Sequence, residues 1–374
     1  MKVLMTALWP VGGIRTFFRY IYGRSIFNDL DLHLIAPDQG LSDYLNAYLP
    51  PDRITLHPCE QSGISLSMTA RSLLRAGQYD IVHSHGFSAG VATELAVIGH
   101  PVPHMLTAHD VFLHDSFIGM IGRLRHLGLQ TLYKRIDLIH AVTEDGARNI
   151  CEFMPNISSA QVRAILHGID TDLFCSVDPI NIRKNLQLPE DTLLIGYFGR
   201  FMPQKGFRTL VDAVMHIVTN QLTPRPVRVL TFGWGGYIRE EYQYLTDQGL
   251  SGYFLQLENT AEPGRWMKGM DIIAMPSLWE ACGLLGMEAL CAGTPIVGTS
   301  CIGLREVLQG SPAPMITPGN AEALAYALVN CSSPQYRAEF EAYQSTAIER
   351  FSIDRPARAL RDLYEDLATK RGNG

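Results

Sequence analysis

Short apolar runs separated by longer amphipathic stretches recur along this chain, and that alternation excludes most architectures. In the first half the runs are "KVLMTAL", "DLHLIAP", "DIVHSHG", "PHMLTAH", "DLIHAVT" and "VRAILHG". Between them lie stretches of helical character, for example residues 13–24, 67–76 and 118–134. Runs this short read as buried strands and the stretches between as covering helices, which predicts strand–helix units and a parallel sheet. The pattern lapses in "FCSVDPINIRKNLQLPED" (174–191), a polar, Pro-containing segment that reads as a linker. It then restarts with "LLIGYFG", "VRVLTFG", "YFLQL", "DIIAMPS", "PIVGT" and "APMIT". A length of 374 residues exceeds the usual single core. The expectation is therefore an α/β chain of two doubly wound domains with a ligand between them, residues 1–175 and 176–350. Residues 351–374 are expected to form a C-terminal helix, with a return to the first domain as one course for it.

Composition narrows the function. A formal net charge of -6 makes no electrostatic case for a nucleic-acid partner. Seven cysteines at irregular spacing, with no Cys-x-x-Cys pair, fit reduced thiols in the cytosol. The N-terminal "MKVLMTALWPVGG" reads as a buried first strand rather than a signal peptide, and no apolar run approaches the ~18 residues of a spanning helix. A cytoplasmic protein is expected, and peripheral contact with the inner face of a membrane stays open. That option rests on "GRLRHLGLQTLYKR" (122–135), basic and amphipathic, for which a solvated helix face is the favoured reading.

Two segments carry chemistry. In "YFGRFMPQKGFRTL" a strand runs into Gly199, where backbone can approach a ligand closely, and then into Arg200 and Lys205. Two cations in one such loop can neutralise a pyrophosphate, or can simply be solvated charges at a helix start. In "SLWEACGLLGMEALCAGTPIVG" (277–298) the only charges are Glu280 and Glu288. A helix beginning near Gly283 would aim the amides of Cys282, Gly283, Leu284 and Leu285 at an anion. The two carboxylates would then border that anion and accept hydrogen bonds from sugar hydroxyls. The alternative makes Glu280 a cap and Glu288 an exposed helix residue.

Taken in order, these segments resemble the retaining GT-B glycosyltransferases of the glycogen-synthase-like and WaaG/PimA-like group. The Gly-Arg-x(4)-Lys-Gly loop is matched by Gly199, Arg200, Lys205 and Gly206, and the Glu-x(7)-Glu motif by Glu280 and Glu288. "HGID" with Phe174, "MPS", "AGTPIV", Gly12-Gly13, "HSHG" and "TAHD" extend the match over most of the chain. The resemblance implies a GT-B fold, two Rossmann-like domains facing each other across a cleft, the first binding acceptor and the second the donor. It implies that Arg200 and Lys205 hold the donor diphosphate in place of a metal, and that Glu288 takes the ribose hydroxyls. It gives the transferred sugar to Glu280, with the amides of Cys282, Gly283 and Leu284. Gly13 would let the first domain approach the phosphate, and His109 would line the sugar near the transferred carbon. So the resemblance assigns His109, Glu280, Arg200 and Lys205 to catalysis and expects no metal and no cofactor. The partners it implies are a nucleotide diphosphate-sugar donor and a saccharide, lipid or small-molecule acceptor.

The sequence departs from that family at Ile14-Arg15, where an acidic residue is common, and at "FGWGGY" (232–237) and "QLENTAEP" (256–263). Two other functions stay open: a non-catalytic nucleotide-sugar-binding protein on this fold, and a glycoside-cleaving or phosphorylase-type enzyme. Two histidines, His83 and His85, stand two apart on a strand and so share one face; lining a strand end is favoured for them over a metal site. His167 reads as packing, and "RTFFRY" (15–20) either packs against the sheet or meets an acceptor.

Overall fold

The computed structural model describes residues 1–372, so residues 373 and 374, which close the expected C-terminal helix, lie outside the described residues. The described chain packs as two units. One comprises Met1–His167 together with the chain from Ile353 on, and the other is Gly168–Ser352.

In the first unit each of the six apolar runs forms a strand, and a seventh joins them. The strands are β1 (Lys2–Ala7), β2 (Asp31–Ala36), β3 (Thr55–Pro58), β4 (Ile81–His85), β5 (His104–Ala108), β6 (Leu138–Ala141) and β7 (Val162–Ala164). Among the described residues they make a parallel sheet of order β3-β2-β1-β4-β5-β6-β7. The unanticipated β3 is an edge strand, only partly buried and ending in Pro58, so it carries no apolar run to betray it. Helices Gly13–Tyr22, Gly63–Ala76 and Gly119–Tyr133 occupy the stretches read as helical. The second of these starts at Ser62, whose side chain accepts from the Ser65 amide.

The second unit repeats the plan with β8 (Leu193–Phe198), β9 (Val227–Phe232), β10 (Phe254–Leu257), β11 (Ile272–Met275), β12 (Ile296–Thr299) and β13 (Met315–Ile316). Their order is β10-β9-β8-β11-β12-β13, again parallel. Buried Tyr197, Phe201, Phe207, Leu210 and Val214 pack one face of this sheet; burying a side chain of that size is worth roughly 1.5–3 kcal/mol. In each sheet the order reverses beside the unit's first strand, between β1 and β4 and between β8 and β11. Connections leaving those strands diverge to opposite faces, which opens a crevice at the carboxyl ends of the strands where ligands of such sheets bind.

The chain re-enters the first unit at Ile353 and closes with the helix Asp354–Gly372. A forked ion pair anchors that helix, Arg361 Nη1 and Nη2 lying 2.6 and 2.7 Å from the two oxygens of Asp29. The polar 174–191 stretch belongs to the second unit and is packed there. Short helices Asp172–Cys175 and Ile182–Asn185 lie in or across it, the Ile180 amide donates to Arg265, and Lys268 Nζ donates to the Cys175 carbonyl. Arg183 from this stretch also reaches Asp271, whose Oδ2 accepts from Arg183 (2.6 Å), Arg225 (2.7 Å) and the Leu194 amide (2.8 Å). Asp271→Ala would strand two half-buried guanidinium groups and a strand amide. It should lower stability by about 2–4 kcal/mol in urea denaturation; an unchanged midpoint would show that this carboxylate does not knit the unit.

Candidate active site

At the reversal point of the second sheet, β8 delivers Gly199 and Arg200, and β11 delivers Pro276, Ser277 and Glu280. A single 3-10 turn, Pro203–Lys205, follows Arg200 and ends at Gly206. Gly206 has φ +66°, and a Cβ there would stand 2.0 Å from the Pro276 carbonyl oxygen. Only glycine permits that approach, so the cation-bearing loop lies directly on the loop that follows β11. Leu278 donates to the Gln204 carbonyl at 2.8 Å and Gln204 Nε2 to the Trp279 carbonyl at 2.9 Å, closing the two loops together.

The result is an ion pair. Lys205 Nζ lies 2.7 Å from Glu280 Oε1. The same oxygen accepts from Ser277 Oγ at 2.7 Å, and Thr299 Oγ1 in turn donates to the Ser277 carbonyl. Glu280 is buried, and its backbone is gripped as well: its amide donates to Ile302, while a Cβ on Gly303 (φ +76°) would stand 2.2 Å from its carbonyl oxygen. A buried carboxylate held this way satisfies the rule that a buried charge must be paired and hydrogen-bonded. The Cys301 thiol beside it is pushed up to about 11, first by burial and then by the Glu280 charge, so it stays protonated at neutral pH. Arg200 is half-buried and makes no ion pair among the described residues.

The helix of the Glu-x(7)-Glu segment is Leu284–Ala292, with Gly283 as an N-cap that offers no side chain. Of the four amides expected to face an anion, that of Leu284 instead donates to the Cys282 carbonyl at 2.9 Å and closes a turn. Glu288 sits half-buried in the second helical turn. Sequence reasoning overlooked Ser277, Thr299 and Cys301; the signal for Ser277 was its place three residues before Glu280, inside "MPS".

In the first unit β4 is buried along its whole length although three of its five residues are His83, Ser84 and His85. The pleat sends Ser84 to one face, where it meets His104 Nε2; the other ring nitrogen of His104, Nδ1, and Arg135 both reach the buried Glu94. On the other face His83 and His85 join Tyr22, Tyr364, Thr107, His140 and His109. Burial and mutual repulsion push His83, His85 and His109 well below the usual histidine range, and burial pushes His140 down to about 4, so all four are neutral at pH 7. Among the described residues no group of three or more His, Cys, Asp or Glu is placed to hold a metal ion.

His109 is half-buried just beyond β5, 3.1 Å from His85 Nδ1 and edge-on to Phe17. Phe17 and Phe18 of "RTFFRY" are buried, and Phe17 also meets His85, His140 and His167 edge-on or tilted, so these aromatics pack against the sheet. Arg15 is tied down by the Pro10 and Gln39 carbonyls. A Cβ on Gly13 would meet nothing within 4 Å, so this glycine borders open space rather than a packed neighbour. On the helix Gly119–Tyr133 the side chains of Met120, Ile121, Leu124 and Leu127 are exposed, beside exposed Arg123 and Arg125.

Residues 11–173 match the family model for glycosyltransferase family 4, and residues 192–333 the model for glycosyl transferases group 1. The chain is 28% identical over 316 residues to the D-inositol 3-phosphate glycosyltransferase of Xylanimonas cellulosilytica, covering 79% of this chain and 73% of the relative. It is 24% identical to the UDP-Gal:alpha-D-GlcNAc-diphosphoundecaprenol alpha-1,3-galactosyltransferase of Escherichia coli, covering 91% and 90%. Among solved structures, Alr3699/HepE of Anabaena with UDP-glucose superposes with a TM-score of 0.82 at 19% identity over 98% of this chain and 100% of that one. The lipopolysaccharide glycosyltransferase WaaG gives 0.73 at 16% identity over 97% and 99%. At these identities the two structures speak to the fold.

The Lys205–Glu280 pair has a direct consequence for stability. Lys205→Met leaves a buried carboxylate with only Ser277, and should cost ~1–3 kcal/mol. Adding Glu280→Gln should recover part of that loss in thermal or urea denaturation, because the uncompensated charge is gone. Strict additivity of the two changes would mean the groups are not coupled.

Proposed function

We propose that this chain, which belongs to the GT-B glycosyltransferases, moves a sugar from a nucleotide diphosphate-sugar to an acceptor hydroxyl with the anomeric configuration retained. The observation that carries this reading is the arrangement at the reversal point of the second sheet. There Lys205 and Glu280 hold each other, with Arg200 in the same loop as Lys205 and Glu288 on the helix Leu284–Ala292 that follows Glu280. A diphosphate needs its charge countered as the sugar departs, and two cations and a helix N-terminus supply that. Lys205 has three donors and gives one to Glu280, which aims the ammonium and leaves two for phosphate oxygens. Glu280 takes a hydroxyl of the transferred sugar and Glu288 the ribose. Arg200, with no partner among the described residues, is the group whose charge the diphosphate gains outright.

In the reaction the bond from the anomeric carbon to the diphosphate oxygen breaks and the acceptor oxygen bonds to the same face of that carbon. The acceptor's proton passes to the departing phosphate oxygen, giving a glycoside and a nucleoside diphosphate. No metal is required, since the two side-chain cations do its work. His109 handles the sugar being transferred. A donor carrying uridine and an acceptor on a lipid diphosphate fit best with the relatives, HepE being seen with UDP-glucose and the E. coli enzyme being named for a diphosphoundecaprenol acceptor.

Peripheral membrane contact belongs to the same reading. Four exposed apolar side chains interleaved with arginines on one helix fit the boundary between lipid headgroups and acyl chains. No helix among the described residues is long and apolar enough to cross a membrane. Co-sedimentation should show binding to phosphatidylglycerol vesicles that falls sharply in Ile121→Glu/Leu124→Glu; equal binding by the variant would end the assignment of this helix.

A thermal-shift panel of UDP-, GDP-, ADP- and TDP-sugars should show selective stabilisation by the UDP-sugar, growing with concentration. Arg200→Ala should lower kcat/KM for the donor by about 100-fold, with turnover intact in excess chelator. Glu288→Ala should weaken both the free nucleoside diphosphate and the sugar nucleotide, and Glu280→Ala chiefly the latter. Normal turnover by Arg200→Ala, or chelator loss that Mg²⁺ restores, would overturn the diphosphate assignment.

A further inference from the structure

The histidine cluster of the first unit is more than a set of satisfied polar groups. We propose that Tyr22 is a positioning residue that holds the ring proton of His109 on Nε2, through His85, as the last steps of a one-directional hydrogen-bond chain across the sheet. The inference rests on the role given above to His109 only for its consequence in turnover; the proton's place is a property of the unliganded protein.

The direction follows link by link from one group that can only accept. The Ile165 carbonyl lies 3.3 Å from His140 Nε2, so that nitrogen carries the proton. A neutral imidazole has one N–H, so His140 Nδ1 accepts, and Thr107 Oγ1 at 3.0 Å is its donor. Having spent its proton, Thr107 accepts from His83 Nε2 at 2.7 Å. His83 Nδ1 is thereby an acceptor, and the Tyr364 hydroxyl donates to it at 2.6 Å. Tyr364 then has only lone pairs for Tyr22, which donates to it at 2.8 Å. Tyr22 in turn can only accept from His85 Nε2 at 3.3 Å. With its proton on Nε2, His85 presents Nδ1 as an acceptor to His109 Nε2, 3.1 Å away. His109 must donate there, which leaves its Nδ1 with a lone pair.

Burial disfavours a charge on each histidine of the chain, and a second N–H on any of them would reverse or break the sequence. Strands β4, β5 and β6 put the members in reach, with His85 beside Thr107 and Thr107 beside His140 in register. Tyr22 comes from the helix Gly13–Tyr22 and Tyr364 from the C-terminal helix Asp354–Gly372, so two helices close the line. The outcome is chemical: His109 offers a hydrogen-bond acceptor at Nδ1, suited to a sugar hydroxyl, and no proton to give there.

Histidine ring nitrogens report this directly, because protonated and unprotonated nitrogens differ widely in 15N chemical shift. The ligand-free protein, labelled at histidine, should show His109 with the proton on Nε2. In Tyr22→Phe, which keeps the ring and removes the acceptor of His85 along with the donor to Tyr364, the His109 signals should move toward the Nδ1–H form. Tyr364→Phe is the control. There the Tyr22 hydroxyl can turn to His83 Nδ1 across its 3.2 Å contact, still accept from His85, and leave His109 as it was. In turnover, Tyr22→Phe should lower kcat about tenfold, the scale of one positioned hydrogen bond, with donor KM little changed, and Tyr364→Phe should stay within about threefold. A wild-type His109 protonated on Nδ1, or a Tyr22→Phe protein whose His109 signals do not move, would overturn the proposal. A shifted tautomer with unchanged kcat would uphold it and remove His109 from the sugar instead.

Discussion

The pair between Lys205 and Glu280 is the joint on which the second unit's site depends. Its two members come from loops leaving adjacent strands, and those loops touch only because Gly206 lets one backbone lie on the other. A buried carboxylate is costly by itself, and so is a lysine aimed at one place. Together, with Ser277 adding a second bond to the same carboxylate oxygen, each lowers the other's penalty and orients it. The pair also makes the site less positive than its sequence suggests. In the reaction proposed above, Lys205 would meet the diphosphate already paired with a carboxylate, and Arg200 would carry more of the charge.

The first unit answers a different form of the same constraint. Its central strand β4 is wholly buried yet carries polar side chains, and water is not there to satisfy them. The strand's two faces solve this separately. One uses Ser84 with His104, Glu94 and Arg135; the other uses neutral rings and hydroxyls only. Neutral rings can be linked in a line because each has one donor and one acceptor. That is why a polar core at this point of the sheet can carry directional information out to His109.

The architecture was legible from periodicity. All twelve apolar runs became strands, because a strand buried on both faces must be apolar over its own short length and says so locally. Edge strand β3 was not legible, since Thr55 and His57 are not hidden from solvent and need not be apolar. Among the site residues, Arg200, Lys205, Glu280 and Glu288 were marked by residue type and spacing. The structure then added what spacing does not encode: that Lys205 and Glu280 hold each other, and that the Leu284 amide is spent on a turn. The charges of the basic helix were legible too, but the outward course of its apolar side chains was not, because the helix's orientation is set by what it packs against rather than by its own pattern.

By itself the sequence determined the alternation of strand and helix, the parallel sheets that follow from it, and the residue types available at each strand end. These are one-dimensional properties, settled by neighbours a few positions away. Only the tertiary structure decided which of those residues meet. Tyr22, His83 and Tyr364 share a hydrogen-bonded cluster although His83 and Tyr364 are 281 positions apart, and no local pattern records that meeting. Burial supplies the reason: excluding water from β4 forces its histidines to find partners, and the partners were whichever hydroxyls the folded helices brought within reach.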